Sequence, residues 1–119
     1  MEKNQIYIKC GTEYTQMTKE LLEVSDLSGE IEKKFLAAGI KNSEAEENCH
    51  KMRIGIKPNL VAPMEAYWGG TTHPEVAAGI IEYLQEKDFW NLVIMEGSWV
   101  GDKTEEAYEV CGYRALCEK

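Results

Sequence analysis

The feature that most constrains the fold is an alternation of short apolar runs and amphipathic stretches in the second half of the chain. Residues 52–58 and 91–95 have the character of strands, the first with Ile54 and Ile56 on one side and the second apolar almost throughout. Between them, residues 72–84 repeat apolar side chains every three or four positions, as one face of a helix does. A strand, a helix and a strand in that order predict a right-handed crossover and a parallel sheet.

The start of the middle helix carries its own sequence markers. Thr72 and Glu75 have the spacing of a capping box, and Pro74 falls in the first turn, where a missing N–H costs nothing. The nearly continuous apolar run at 91–95 is typical of a strand covered on both faces.

The remaining segments extend the same pattern. Residues 5–10 alternate as a first strand, two amphipathic helices follow it, and the polar stretch 41–51 could form a short helix, since Ser43 and Glu46 have capping-box spacing. After residue 95 a loop leads to a last helix, capped by Asp102 and ending near Gly112.

The predicted fold class is therefore α/β. We expect a small three-layered parallel-sheet, Rossmann-like half-domain with βαβ crossovers, in which residues 1–119 form a single domain. The expected core is shared by the strands and the middle helix: Ile54, Ile56, Ile80, Ile81, Leu84, Val93 and Ile94.

Charge and hydropathy exclude several classes of partner. The net charge is −8, and clustered Lys and Arg are lacking, so binding to nucleic acid or to an anionic membrane surface is not expected. No run approaches the roughly 20 apolar residues that cross a bilayer, and no secretory signal is evident at the start. The chain is predicted to be cytoplasmic.

The four cysteines lack the spacing of known cofactor sites. Cys10, Cys49, Cys111 and Cys117 form no C-x-x-C pair, so no iron–sulfur cluster and no metal site is predicted, and the cofactor stays unknown. Cys49 stands beside His50, which keeps a metal site open as an alternative, but buried or incidental thiols are the favoured interpretation.

Two polar loops occupy the place where open parallel sheets bind ligands, outside the carboxyl ends of the strands. One follows the strand at 52–58 and the other follows the strand at 91–95. Both lead into helix starts, which attract anions. The predicted ligand-binding residues are Lys57, Asn59, Gly70, Thr71, Thr72, Gly97, Ser98 and Asp102.

Two further residues are candidates for proton transfer. His73 could act as a general acid or base, bind a metal or donate to an anion, although a role at the helix start is the alternative. Glu96 ends an apolar strand, where a charged side chain is uncommon unless it is paired or functional. It could be a base, a metal ligand or the partner of Lys57. Ser98 has no sequence-adjacent base, so a nucleophilic triad is not supported.

Three of these segments carry a resemblance to a known family. Residues 53–61 (RIGIKPNLV) and 70–76 (GTTHPEV), then the EGS and VGD triplets at 96–98 and 100–102, resemble motifs of the domain-of-unknown-function family 362. Ala107-Tyr108 and Cys111-Gly112-Tyr113 are similar to the stretch that follows. The resemblance runs from about residue 52 to the end.

This resemblance implies membership of the family but no reaction mechanism. Members of the family are often associated with ferredoxin-type iron–sulfur proteins, which implies a ferredoxin-type partner. They are usually longer, which implies that residues 1–119 are the N-terminal part of a longer domain, and this chain lacks their cluster-binding cysteines.

Two functions follow from the sequence. The first is binding of a small ligand, an anion or metabolite, by an α/β domain of a redox-associated protein. The second is a non-enzymatic structural or interaction module that self-associates, for example as a homodimer, because a three-stranded sheet leaves apolar edges to be covered. Whether the chain is an enzyme stays open.

Overall fold

A computed structural model describes residues 4–38, 49–99, 101 and 103–118 of the chain. The short helix expected within 41–51 falls mostly outside these residues. The helices and strands are, in chain order, α1 (Tyr14–Val24), α2 (Leu27–Ala37), β1 (Ile54–Ile56), a 3-10 helix (Ala66–Trp68), α3 (Pro74–Glu86), β2 (Leu92–Ile94), α4 (Thr104–Val110) and a second 3-10 helix (Arg114–Leu116).

The sheet confirms the parallel pairing predicted from the sequence. Strands β1 and β2 pair in parallel, with Ile54 opposite Leu92 and Ile56 opposite Ile94, and α3 forms the connection between them. The class is therefore α/β. Within the described residues the sheet has these two strands.

The strand predicted at residues 5–10 is wrong. This segment has no regular structure, and Ile6 and Ile8 are 83% and 81% exposed. It lies against α1, where Lys9 pairs with Glu20, and not beside the sheet. Alternation shows that a segment suits a strand, but a strand forms only where a partner offers hydrogen bonds.

One face of the sheet carries most of the core. Ile56, Tyr83, Leu84, Phe89 and Cys49 are buried together. Residues from α1, α2, α3 and the two strands pack around them: Leu22, Leu27, Ile31, Phe35, Ile54, Ile80, Ile81 and Leu92. Of the predicted shared core, the isoleucines of β1 and the stripe of α3 thus come together.

The other face of the sheet is open. Val93 is 37% exposed and Met95 is 54% exposed, so the described residues do not cover this strand on both sides as expected. The thioether of Met95 lies over Gly55, which faces Val93 in the register. We call the surface formed by Gly55, Val93 and Met95 the open face.

A second core cluster lies beyond the ends of the strands. Leu60, Ala77, Ala107, Cys111 and Tyr113 are buried there, with Ile94, Tyr108 and Leu116 packed against them. Ile94 therefore belongs to this cluster and not to the one around Ile56. The cluster fixes the loop after β1 against α3 and α4.

Helices α1 and α3 pack closely because of one glycine. A β-carbon on Gly79 would stand 2.6 Å from the carbonyl oxygen of Thr15 and 2.8 Å from Cβ of Thr18. Ion pairs flank this contact, with Lys19 Nζ 2.5 Å from Glu86 Oε1. The ends of α3 are therefore fixed relative to the first helix.

Helix starts differ from the capping predictions in detail. Pro74 is the first residue of α3 as expected, but the N-cap is His73 and not Thr72, and no side chain caps the helix. Helix α4 ends before Gly112 as predicted, but its N-cap is Lys103 and not Asp102. Asp102, the predicted cap, lies outside the described residues.

None of the helices in the described part of the chain combines the length and apolar composition needed to span a bilayer.

Candidate functional site

Lys57 and Glu96 meet at the carboxyl edge of the sheet, immediately after β1 and two residues after β2. The ammonium Nζ of Lys57 donates to Glu96 Oε2 at 3.1 Å. The two side chains differ in exposure, since Lys57 is 63% exposed and Glu96 only 7%. The parallel register brings these groups together, because parallel strands end at the same edge.

The Glu96 carboxylate is held by two backbone donors as well as by the lysine. Gly97 N–H donates to Oε1 at 2.8 Å, and Leu60 N–H donates to Oε2 at 3.3 Å. Burial raises the pKa of Glu96, but the bonds from Gly97, Lys57 and Leu60 lower it by more, so the pKa lies below its usual value. Glu96 is therefore ionised at neutral pH and ties the two loops together.

Asn59 and Thr72 are joined by a reciprocal pair of hydrogen bonds. Thr72 N–H donates to the carbonyl of Asn59 at 2.8 Å, and Asn59 N–H donates to the hydroxyl of Thr72 at 3.0 Å. Leu60 and Thr71 form an antiparallel bridge at the same place. The hydroxyl of Thr72 thus holds the loop rather than the helix end.

Thr71 and Gly70 serve the turn that returns to this bridge. The buried hydroxyl of Thr71 donates to the carbonyl of Met64 at 3.2 Å. A β-carbon on Gly70 would stand 2.5 Å from the Met64 sulfur. Both residues therefore have contacts that explain them without a ligand.

Gly97 and Ser98 offer the least occupied polar surface at this edge. Nothing lies within 4 Å of a β-carbon placed on Gly97. Ser98 N–H donates to the hydroxyl of Thr104 at 3.1 Å, whereas the buried hydroxyl oxygen of Ser98 has no hydrogen-bond partner among the described residues. Buried polar atoms without partners are uncommon in folded proteins, so this one calls for an explanation.

His73 lies in a different setting from Lys57. Its ring contacts that of Tyr14 at a tilt of 44°, with centroids 4.7 Å apart, and Nδ1 is 3.8 Å from Glu75 Oε2. The ring lines a cleft of about 450 Å³ with Glu65 and Tyr67. We call this the His73 cleft.

The structure thus groups some of the predicted residues and separates others. Contacts join Lys57 to Glu96, Glu96 to Gly97, and Asn59 to Thr72, but none joins the His73 ring to Lys57 or to Ser98. A single site that includes His73 stays a prediction, and Asp102 lies outside the described residues.

Tyr113 is a residue that the sequence analysis missed as part of this edge. Its buried hydroxyl donates to the carbonyl of Thr72 at 2.9 Å and contacts that of His73 at 3.4 Å. Burial, followed by the charges of Cys111 and Glu75, raises the pKa of this phenol. The family motif that ends in Cys111-Gly112-Tyr113 includes this tyrosine, but no sequence pattern indicated that its hydroxyl would reach the start of a helix.

The cysteines are spread over the molecule. Cys49 and Cys111 are buried in different core clusters, and Cys10 and Cys117 are exposed. Within residues 4–38, 49–99, 101 and 103–118, no group of three or more His, Cys, Asp or Glu side chains is arranged to hold a metal ion.

The fold and this edge define an α/β protein with a parallel crossover and two polar loops fixed at the carboxyl ends of its strands. A family model described as Domain of unknown function (DUF362) matches residues 54–119, from the first residue of β1 onward. The chain belongs to this family, as the motifs at 53–61, 70–76 and 96–102 indicated. No curated protein and no solved structure matches the chain.

Proposed function

We propose that the chain binds a small anion, a phosphate or carboxylate group, at the carboxyl edge of its sheet. The observation that carries the proposal is the buried Ser98 hydroxyl, which has no partner in the described part of the chain and lies next to the open backbone of Gly97. A hydroxyl can donate to an anion, and Gly97 beside it leaves open space. Leaving such a group without a partner costs about 1–3 kcal/mol, which a bound anion would offset.

Lys57 supports the same proposal. Its ammonium uses one donor on Glu96 and has two more, and at 63% exposure it is accessible to a ligand. Ionised Glu96 positions this ammonium but also offsets its charge. We therefore expect modest affinity, with dissociation constants on the order of 1 mM.

Proton transfer is less well supported at this edge. Glu96 suits the positioning of Lys57 better than the uptake of a proton, because its pKa is held low. His73 keeps its candidate role only if a ligand reaches from this edge to the His73 cleft.

We also propose that the two strands belong to a larger parallel sheet within a three-layered α/β arrangement, and that a ferredoxin-type protein is a partner. The open face supports the first point, since parallel sheets are normally covered on both sides. The resemblance of the motifs supports the second. The cytoplasm is the proposed compartment because exposed free thiols, Cys10 and Cys117, persist in a reducing environment.

Anion binding is tested by titrating the full chain with phosphate and with acetate, and following backbone amide shifts by NMR. We expect saturable shifts at Gly97 and Ser98. Lys57→Ala and Ser98→Ala should each weaken binding at least threefold. Lys33→Ala is the matched control, because Lys33 is also 63% exposed and also pairs with a glutamate. Equal effects of the two lysine variants would reduce the binding to general charge attraction and overturn the proposal.

Self-association is the second candidate function, and the open face favours it. Val61 and Trp99 lie beside each other, since Trp99 N–H donates to the carbonyl of Val61 at 3.1 Å, and they are 42% and 74% exposed. Val93 and Met95 on the open face are further exposed apolar side chains that a second copy would cover.

Sedimentation equilibrium tests this alternative. We expect Met95→Ser and Trp99→Ser to weaken a dimer, whereas Trp68→Ser is the control, because Trp68 is 71% exposed on the 3-10 helix. A monomer at all concentrations would exclude it.

A further inference from the structure

The His73 cleft combines aromatic rings with carboxylates. Tyr14 and Tyr67 line it together with the imidazole of His73, and Glu65 and Glu75 contribute the charged groups. Tyr67 is 68% exposed and Tyr14 is 37% exposed, so their rings are accessible to a ligand.

No lysine or arginine in the described part of the chain compensates the charge of this lining. None of the described residues that line the cleft is a lysine or an arginine. Among the residues that the structure describes, Glu75 pairs only with the His73 ring, at 3.8 Å, and Glu65 pairs with no cation. Other glutamates, such as Glu86 and Glu23, do have lysine partners. The sign of the potential here is therefore the opposite of what an oxyanion needs.

The start of α3 does little to reverse this sign. Pro74 has no N–H, and the N–H of Val76 already donates to the carbonyl of His73 at 3.0 Å. Glu75 stands in the first turn and offsets the positive end of the helix.

The size of the cleft suits a small molecule. Its volume of about 450 Å³ falls within the roughly 300–1,000 Å³ that is usual for such sites. Aromatic faces attract ammonium groups, and carboxylates accept their hydrogen bonds.

We propose that the His73 cleft binds a small organic cation, a primary ammonium compound, between the rings of Tyr14 and Tyr67 and the carboxylates of Glu65 and Glu75. This site is separate from the proposed anion site at Lys57, and neither proposal depends on the other.

The test uses n-butylammonium as the probe, with butyrate and 1-butanol as anionic and neutral molecules of similar size. Each is titrated into the full chain, and the His73 ring and the Glu75 and Gly112 amides are followed by NMR. We expect saturable shifts with n-butylammonium and none with butyrate. A peptide that contains a single lysine shows whether a protein side chain enters instead, and tighter binding of that peptide would overturn the small-molecule proposal.

Glutamine variants of similar shape test whether the carboxylates of the cleft bind the ammonium group. Glu65→Gln and Glu75→Gln should each weaken n-butylammonium binding by about three- to tenfold, and the double variant should abolish it. Glu82→Gln is the matched control, because it removes a carboxylate from the same helix outside the cleft. Tyr67→Leu tests the ring. Butanol binding as well as the ammonium, or Glu82→Gln matching Glu75→Gln, would overturn the proposal.

Discussion

Removing the Glu96 carboxylate gives the most direct test of how the two loops are held together. Glu96→Ala leaves the N–H groups of Gly97 and Leu60 without their acceptor and frees the ammonium of Lys57. All three donors lie after the strands, so the loss should loosen the edge on which the anion site is built.

The expected magnitude follows from the three bonds. A hydrogen bond to a charged group contributes about 1.5–3 kcal/mol, and the bond from Leu60 is long, so the two backbone bonds together contribute about 2–4 kcal/mol. The exposed Lys57 adds less than about 1 kcal/mol. Part of this loss is recovered if water enters, so we expect Glu96→Ala to lower the free energy of unfolding by about 2–4 kcal/mol.

Urea denaturation at pH 7 measures this loss. Glu96→Gln keeps the shape and one acceptor and should cost about 1–2 kcal/mol. Lys57→Met removes only the exposed partner and should cost under about 1 kcal/mol. Glu105→Ala, at a side chain that is 83% exposed, is the control for loss of a surface carboxylate.

The pH dependence has a definite sign. Because the pKa of Glu96 is lower in the folded than in the unfolded chain, its stabilisation is present above the ordinary value of 4.5 and is lost as the pH falls through the folded pKa. The gap between the wild type and Glu96→Gln should therefore close below pH 4.5. An unchanged free energy of unfolding in Glu96→Ala, or a Lys57→Met loss of equal size, would refute the reasoning.

Three further predictions concern packing and exposure. Gly79→Ala should destabilise the chain by about 1–3 kcal/mol despite the better helix propensity of alanine, because the new β-carbon meets Thr15. Gly97→Ala is the control, because a β-carbon there has open space, and thermal denaturation compares the two variants. With a disulfide reagent such as DTNB, the exposed Cys10 and Cys117 should react quickly, and the buried Cys49 and Cys111 should react slowly. Burial, followed by the charge of Glu32, also raises the pKa of the Cys49 thiol. Four equal rates would contradict this prediction. Ile6→Ser with Ile8→Ser should leave the free energy of unfolding within about 0.5 kcal/mol of the wild type, because both side chains are exposed, and a larger loss would mean that residues 5–10 pair as a strand in solution.

Much of the second half of the fold could be predicted because its patterns are local and agree with one another. The isoleucines of β1, the apolar stripe of α3 and the position of Pro74 each pointed to the same crossover, and the parallel pairing confirms it. The partnership of Lys57 and Glu96 was one of three roles considered for that carboxylate. It followed from two polar residues placed where neighbouring strands end.

The failures share a physical cause, which is that a sequence pattern does not show which partners are present. Residues 5–10 have the alternation of a strand but no strand beside them. The strand that contains Val93 is apolar enough for burial on both faces, yet nothing in the described chain covers one of them. Thr72 has the spacing of a helix cap, but its hydroxyl bonds to Asn59 across the loop, a contact that no local pattern encodes.

The parallel pairing of β1 with β2 also has a consequence for the order of folding. Arg53 Nε reaches Asn91 Oδ1 just ahead of the two strands, across 38 residues of chain. Closing so long a loop costs entropy before any ladder bond repays it, so parallel strands pair late. Helix α3 can shorten the search, because it brings its two ends to a fixed separation and packs on α1 through Gly79. Substitutions at that glycine should therefore slow folding, whereas substitutions on the open face should change mainly the rate of unfolding.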